Sequence, residues 1–252
     1  MNVEFEELDF QETPLGDISL RRRSELRLAG KIVYEVKLGD EFLMSSLFTD
    51  GETQLARLAI DALDGEQLDI VVGGLGLGYT ALAALDDPAV RSVTVIEVMA
   101  AVIDWHRRGL VPIGGRLATD PRCTLVHADF FAAAASAERG FDCAAPARLA
   151  HAVLLDIDHS PRHWLNPENS VFYTPPRLRA LADKLHPGGV FGLWSNEPAD
   201  DEFMGLLESV FHRPAAHRVS FPNPYTGGES SSTVYLARKP DSPAAGSPPT
   251  GE

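Results

Sequence analysis

Leu68-Asp-Ile-Val-Val-Gly-Gly-Leu-Gly-Leu-Gly-Tyr79 decides the fold. A short aliphatic run breaks into Gly73, Gly74, Gly76 and Gly78, and a helical pattern starts at once. That order reads as a buried parallel strand, a tight turn and a helix N-terminus. Glycine is expected there because a Cβ would keep a ligand from the backbone. The next apolar run, Ser92 to Val98, carries Glu97, about twenty residues downstream and placed like an acid that grips ribose hydroxyls. A ligand bearing a nucleoside is the expectation.

Working outward, strands alternate with helices as far as about residue 238. Further strands are expected at Ser92–Glu97, Cys123–His127, Ala150–Asp156, Gly189–Trp194, His217–Phe221 and Thr233–Ala237. Helical patterns lie between them near 79–86, 98–109, 129–138, 174–186 and 200–211. Such alternation predicts an α/β fold, a Rossmann-like seven-stranded sheet covered on both faces. The last two strands lack a helical spacer and should form an antiparallel hairpin at the sheet edge.

Upstream, period-two alternation from residue 14 to 48 (Ile18, Leu20, Ile32, Tyr34, Val36, Phe42, Met44) predicts a short N-terminal antiparallel β unit. Asp50-Gly-Glu-Thr then opens a helix whose apolar face is Leu55, Leu58, Ala59, Ala62 and Leu63. The expected division is a β appendage over 1–48, the ligand-binding α/β domain over 49–238, and a disordered Pro/Gly/Ser/Ala tail over 239–252.

The chain has 252 residues, 44% of them apolar, and a formal net charge of −14. Length and apolar content suit one α/β domain with a real core. The acidic balance argues against nucleic acid or an anionic membrane as partner and favours a cationic small molecule. Arg21-Arg-Arg23 is a local exception, read as a solvated strand edge. Two cysteines without a CxxC pair, Cys123 and Cys143, exclude a disulfide framework and point to the reducing cytosol. The acidic N-terminus lacks a secretory pattern, and no apolar run is long enough to span a bilayer.

Ligands of open α/β sheets bind beyond the carboxyl ends of the strands. Polar residues gather there: Glu97, then Asp129 followed by Phe130, then Asp156-Ile-Asp-His-Ser-Pro161, then Ser195-Asn-Glu197. Glu97 suits ribose, and Asp129 suits an adenine amino group. Asp156, Asp158 and His159 suit a cation or a proton transfer. Tyr173 and Trp194, with Trp164, are candidate pocket walls by stacking. A metal is not expected, because Pro161 interrupts the spacing between His159 and His163. The loose dinucleotide fingerprint Gly76-x-Gly78-x-x-Ala81 is present, but its first glycine falls late after the strand, and a pyrophosphate leaves no work for Asp129.

Taken in order, these segments resemble the spermidine synthase family of class I S-adenosylmethionine-dependent transferases. The matching residues are Val71-Val-Gly-Gly-x-Gly-x-Gly78, Val95-Ile-Glu97, His127-Ala-Asp129, Leu154-Leu-Asp156, Phe172-Tyr173 and Leu185-His-Pro-Gly-Gly-Val190. The resemblance covers residues 14 to 238 and includes the small β domain, here shortened. It implies S-adenosylmethionine or its decarboxylated form on the glycine loop, with Glu97 on ribose and Asp129 and Phe130 near adenine. It also implies Asp156 as the base that deprotonates an attacking amine, and a homodimer through the β unit with Phe42–Phe48 as its surface.

Two departures bear on the reaction. The synthases carry an aspartate where this chain has Gly76, and that acid would repel the carboxylate of intact S-adenosylmethionine. Asp156-Ile-Asp-His-Ser-Pro also replaces the family's Asp-x-x-Asp-Pro, so Asp158 or His159 takes the second acid's role. Both changes favour a methyltransferase acting on a small amine, with a polyamine aminopropyltransferase or a non-catalytic nucleoside or polyamine sensor as the alternatives.

Overall fold

A computed structural model describes residues 5–138, 140–142 and 145–241. Cys143 and most of the tail lie outside the described residues. The larger sheet contains β5 (Leu68–Gly73), β6 (Val90–Glu97), β7 (Cys123–His127), β8 (Ala150–Leu155), β9 (Leu185–Ser195), β10 (His212–Asn223) and β11 (Gly228–Arg238). Their spatial order is β10-β11-β9-β8-β5-β6-β7. β5 to β9 run parallel, while β11 pairs antiparallel with β9 and β10 with β11, the expected edge hairpin.

Every residue of β5 is buried, so alternation cannot show in its sequence. Its side chains nonetheless divide between two cores. Ile70 and Val72 join one, under α1 (Asp50–Asp61), α2 (Tyr79–Leu85), α3 (Ala100–Arg107) and the short α4 (Arg116–Thr119). Val71 joins the other, under α5 (Phe130–Ala135), α6 (Pro175–Ala182) and α7 (Asp201–Glu208). The helices are shorter than the periodicity suggests. α6 ends at Ala182, because Leu185-His-Pro-Gly-Gly already belongs to β9.

A separate four-stranded antiparallel sheet is built from β1 (Phe5–Gln11), β2 (Ile18–Glu25), β3 (Lys31–Leu38) and β4 (Glu41–Ser45). β1 escaped the sequence reading because its alternation sets phenylalanines among acids. Those acids settle the arginine triplet. Arg22 pairs with Glu6, Arg21 lies 3.5 Å from Glu7, and Arg23 pairs with Glu25 and Glu35 at 2.6 and 2.7 Å. The triplet therefore lies on an inner strand with acidic partners, and no solvated edge exists there.

Ile18, Leu20 and Val36 of this sheet are buried in the same core as α1 and α2. Most of the 42–48 segment packs on its own chain: Phe48 stands 5.7 Å from Phe221, and in that segment only Phe42 is strongly exposed. No helix of the described residues is long and apolar enough to cross a membrane.

Candidate active site

A cavity of about 470 Å³ opens beyond the carboxyl ends of β5, β6 and β8, roofed by the small sheet. Its volume falls in the range of small-ligand sites. Gly74, Gly76, Glu97, Asp129, Phe130, Asp156, His159 and Trp194 all line it. Gly73, Gly78, Asp158 and Tyr173 do not.

The glycine loop is tight for reasons internal to the protein. At Gly74 (φ +95°) a Cβ would sit 2.2 Å from the Asp156 carbonyl oxygen. β5 and β8 converge there, the Asp156 amide donating to the Gly73 carbonyl at 2.8 Å. At Gly76 (φ +47°) a Cβ would sit 2.5 Å from Met44 Sδ, on β4. Sequence reasoning reserved these spaces for a ligand; protein atoms fill them. Gly73 lies against the Phe130 ring, and Gly78 against Leu117, Ile113 and His106, so both pack inward, away from the cavity.

Glu97, the last residue of β6, accepts hydrogen bonds from the Leu75 amide at 2.9 Å and the Met99 amide at 2.8 Å, one on each oxygen. Burial raises its pKa and these amides oppose the rise. The Val98 and Gly76 amides face the same carboxylate, so the loop and the start of α3 orient it together. Asp129 caps α5, accepting from the Ala132 amide at 3.1 Å through one oxygen. Phe130 behind it stacks on Phe141 with ring centroids 5.4 Å apart.

Asp156 follows β8 and is partly buried at the cavity wall. Thr80 Oγ1 donates to its Oδ2 at 2.6 Å. Burial pushes its pKa up to about 6, against the opposing Thr80 hydrogen bond. Asp158 is spent on structure. It is 3% exposed and accepts from the Leu165 amide, Asn169 Nδ2 and the Tyr173 hydroxyl at 2.9, 2.8 and 2.8 Å. The expectation of a second catalytic acid at Asp158 is corrected accordingly, and so is that of a substrate wall at Tyr173, whose hydroxyl points to Asp158. His159 does reach the cavity, its Nε2 2.9 Å from Glu41 Oε1 on β4. Among the described residues no acid, histidine and cysteine cluster suits a metal.

No protein-family model matches the sequence. A solved spermidine synthase from Thermotoga maritima superimposes with a TM-score of 0.70 over 94% of this chain and 74% of its own, at 16% identity. The chain has the spermidine synthase fold. A probable spermidine synthase from Corynebacterium glutamicum gives 0.62 over 95% and 82%, at 16% identity. An N-methyltransferase from Bradyrhizobium japonicum gives 0.52 over 75% and 94%, at 14% identity. By sequence the chain is similar to putrescine N-methyltransferases of tobacco plants. One from Nicotiana tabacum is 25% identical and one from Nicotiana attenuata 27% identical, each over 136 residues, 54% of this chain. The match spans about a third of those relatives' length, 31% and 33%.

Several residues of this spermidine synthase fold went unnoticed in the sequence. His106 is fully buried, and its Nε2 lies 2.9 Å from the Gly76 carbonyl. Burial lowers its pKa, so the ring is neutral with its proton on Nε2, which donates to that carbonyl. Nδ1, the acceptor of this tautomer, is buried and finds no donor among the described residues. Met44 accepts from the Leu77 amide at 3.1 Å, so β4 grips the same loop from above. Glu52, in the first turn of α1, lines the cavity and is 8% exposed. One signal for it existed. Glu52, Leu55, Ala56 and Ala59 share the buried helix face, so an acid continues an apolar stripe.

Proposed function

We propose that this protein is an S-adenosylmethionine-dependent transferase that methylates the nitrogen of a small amine. The observation that carries the reading is the place of Asp156, a carboxyl group after β8 held by Thr80, in the cavity that Glu97 and the glycine loop also line. When bound, S-adenosylmethionine supplies a sulfonium carbon open to nucleophilic attack. The cavity suits that cofactor: Glu97 is an acid held in place by backbone amides at the end of β6, where ribose hydroxyls would meet it, and Asp129 keeps one oxygen for an adenine amino group. Asp156 attracts an ammonium, accepts its proton and frees the lone pair, work for which a pKa near the operating pH is suited.

Methyl rather than aminopropyl transfer is supported at Gly76. No carboxylate stands there, and the space that its side chain would need holds the apolar sulfur of Met44. The names of the sequence relatives agree with an N-methyltransferase. Aminopropyl transfer is the second reading, favoured by the fit to spermidine synthase structures. A sensor would need no base. The two-cysteine composition suits a cytosolic setting.

Calorimetric titration with intact and decarboxylated S-adenosylmethionine, side by side, tests the reading. Tighter binding of the intact form is expected. Preference for the decarboxylated form transfers the proposal to aminopropyl chemistry, and binding of neither removes the cofactor.

A further inference from the structure

We infer that Glu52 and Asp156 form a two-carboxylate clamp for the acceptor's ammonium group, walled by the indole of Trp194. The inference rests on the transferase reading and names how its acceptor is recognised.

Glu52 and Asp156 reach one cavity from different elements, α1 and the end of β8. Glu52 is more than nine-tenths buried, and among the described residues no side chain donates a hydrogen bond to its carboxyl, which its own backbone amide faces. No lysine or arginine is among the described residues that line the cavity. A buried carboxylate without a cation is costly and holds a proton instead. Burial, and then repulsion from Asp156, push Glu52 up to about 8. Its other titratable neighbours are Asp50 on α1, which raises it further, and Tyr79 on α2, itself raised by burial. Tyr34 of β3 acts on Tyr79, and His159 shares the cavity. None of these is a lysine or arginine, and the His159 ring is turned to Glu41.

The indole is placed by Gly51. A Cβ there would meet Trp194 Nε1 at 2.2 Å and Ser232 Oγ at 2.7 Å, so the missing side chain admits Trp194 beside the first turn of α1. Trp194 Nε1 and Ser232 Oγ are both buried without partners. An aromatic wall and two acids describe an ammonium site.

In the free protein Glu52 carries a proton near neutral pH. An arriving ammonium replaces that proton, which passes to solvent. The ammonium keeps its own protons until Asp156 accepts one. Binding therefore releases protons, and the amount is measurable.

The test is calorimetry on the full chain saturated with S-adenosylhomocysteine, near neutral pH, in two buffers of different ionisation enthalpy. The probes are n-butylamine, putrescine and the neutral n-butanol. Wild type is expected to bind the amines in preference to the alcohol and to release about one proton per ammonium. Glu52→Gln, a neutral mimic of the protonated acid, should release almost none and bind ~10-fold more weakly. Glu52→Asp should restore the release. Amine binding without proton release, equal behaviour of Glu52→Gln and wild type, or no amine binding beside intact S-adenosylhomocysteine binding would each overturn the clamp. Absence of S-adenosylhomocysteine binding would instead remove the transferase reading, and the clamp with it.

Discussion

Thr80 Oγ1 donates to Asp156 Oδ2 at 2.6 Å, tying the second residue of α2 to the residue that follows β8. The glycine loop lies between β5 and α2, so this bond fixes the Asp156 carboxyl relative to the loop. It also stabilises the ionised carboxyl against the effect of burial. The kcat/KM of wild type should rise with pH through two titrations, Asp156 at about 6 and Glu52 at about 8, and level off beyond. In Thr80→Val the Asp156 limb should move to higher pH by about one unit. A limb that stays in place under this substitution would show that another group titrates.

Asp156→Asn removes the base but keeps the shape. Turnover should fall ~10²–10⁴-fold while affinity for S-adenosylmethionine changes less than about 2-fold. Calorimetry beside an acceptor assay separates the two effects. A parallel fall of affinity and turnover would place Asp156 in ligand binding alone.

Gly76→Asp would need a side chain at φ +47° in space held by Met44. Affinity for intact S-adenosylmethionine should fall at least ~10-fold, through strain and the added charge. The double variant with Met44→Ala should recover stability, read as the urea midpoint. It should not recover the affinity, because the charge remains.

Asp158→Ala removes an acceptor from three donors: the Leu165 amide, Asn169 and Tyr173. Unpaired buried groups cost about 1–3 kcal/mol each, so a loss of ~3 kcal/mol in urea unfolding is expected. The same loss at neutral and alkaline pH, where Asp158 is ionised folded and unfolded alike, with an unmoved kcat/KM limb, would mark Asp158 as the clasp of the 158–173 loop.

Folded Glu52 keeps a proton that the unfolded chain surrenders near pH 4.5, because its pKa stands at about 8. Folded protein then binds more protons than unfolded, so this group's contribution to stability falls as pH rises from 4.5 to about 8 and levels beyond. Glu52→Gln should match wild type in Tm at about pH 4.5 and exceed it by ~5 °C near pH 9. Equal Tm values at both ends would place a cation beside Glu52.

The parallel sheet was legible because its strands are continuous apolar runs closed by glycine or an acid, a pattern that burial on both faces demands. Glu97 and Asp156 were legible for the same reason, as the first polar residues after such runs. The small sheet was read without β1, whose acids make sense only opposite the arginines of β2. Asp158 and His159 sit side by side in the sequence yet point to different partners, and backbone turns of that kind leave no periodic trace. Met44, Glu52 and Thr80 meet the site from a strand and two helices that share no periodic pattern, so only tertiary packing reveals them. The glycines were read correctly as a tight turn, but what presses on them is Met44 and the Asp156 carbonyl.

The grip of β4 on the loop has an architectural consequence. Met44 holds the Leu77 amide and covers Gly76, while Glu41 reaches His159 on the far wall. Residues 5–48 are thus a structural part of the α/β half, even though their sheet is separate. Neither sheet can be trimmed, grafted or exchanged between homologues as a cassette without rebuilding its counterpart. A library that recombines N-terminal sheets onto this α/β half would need to carry positions 41 and 44 together with 76 and 159 as one inherited block.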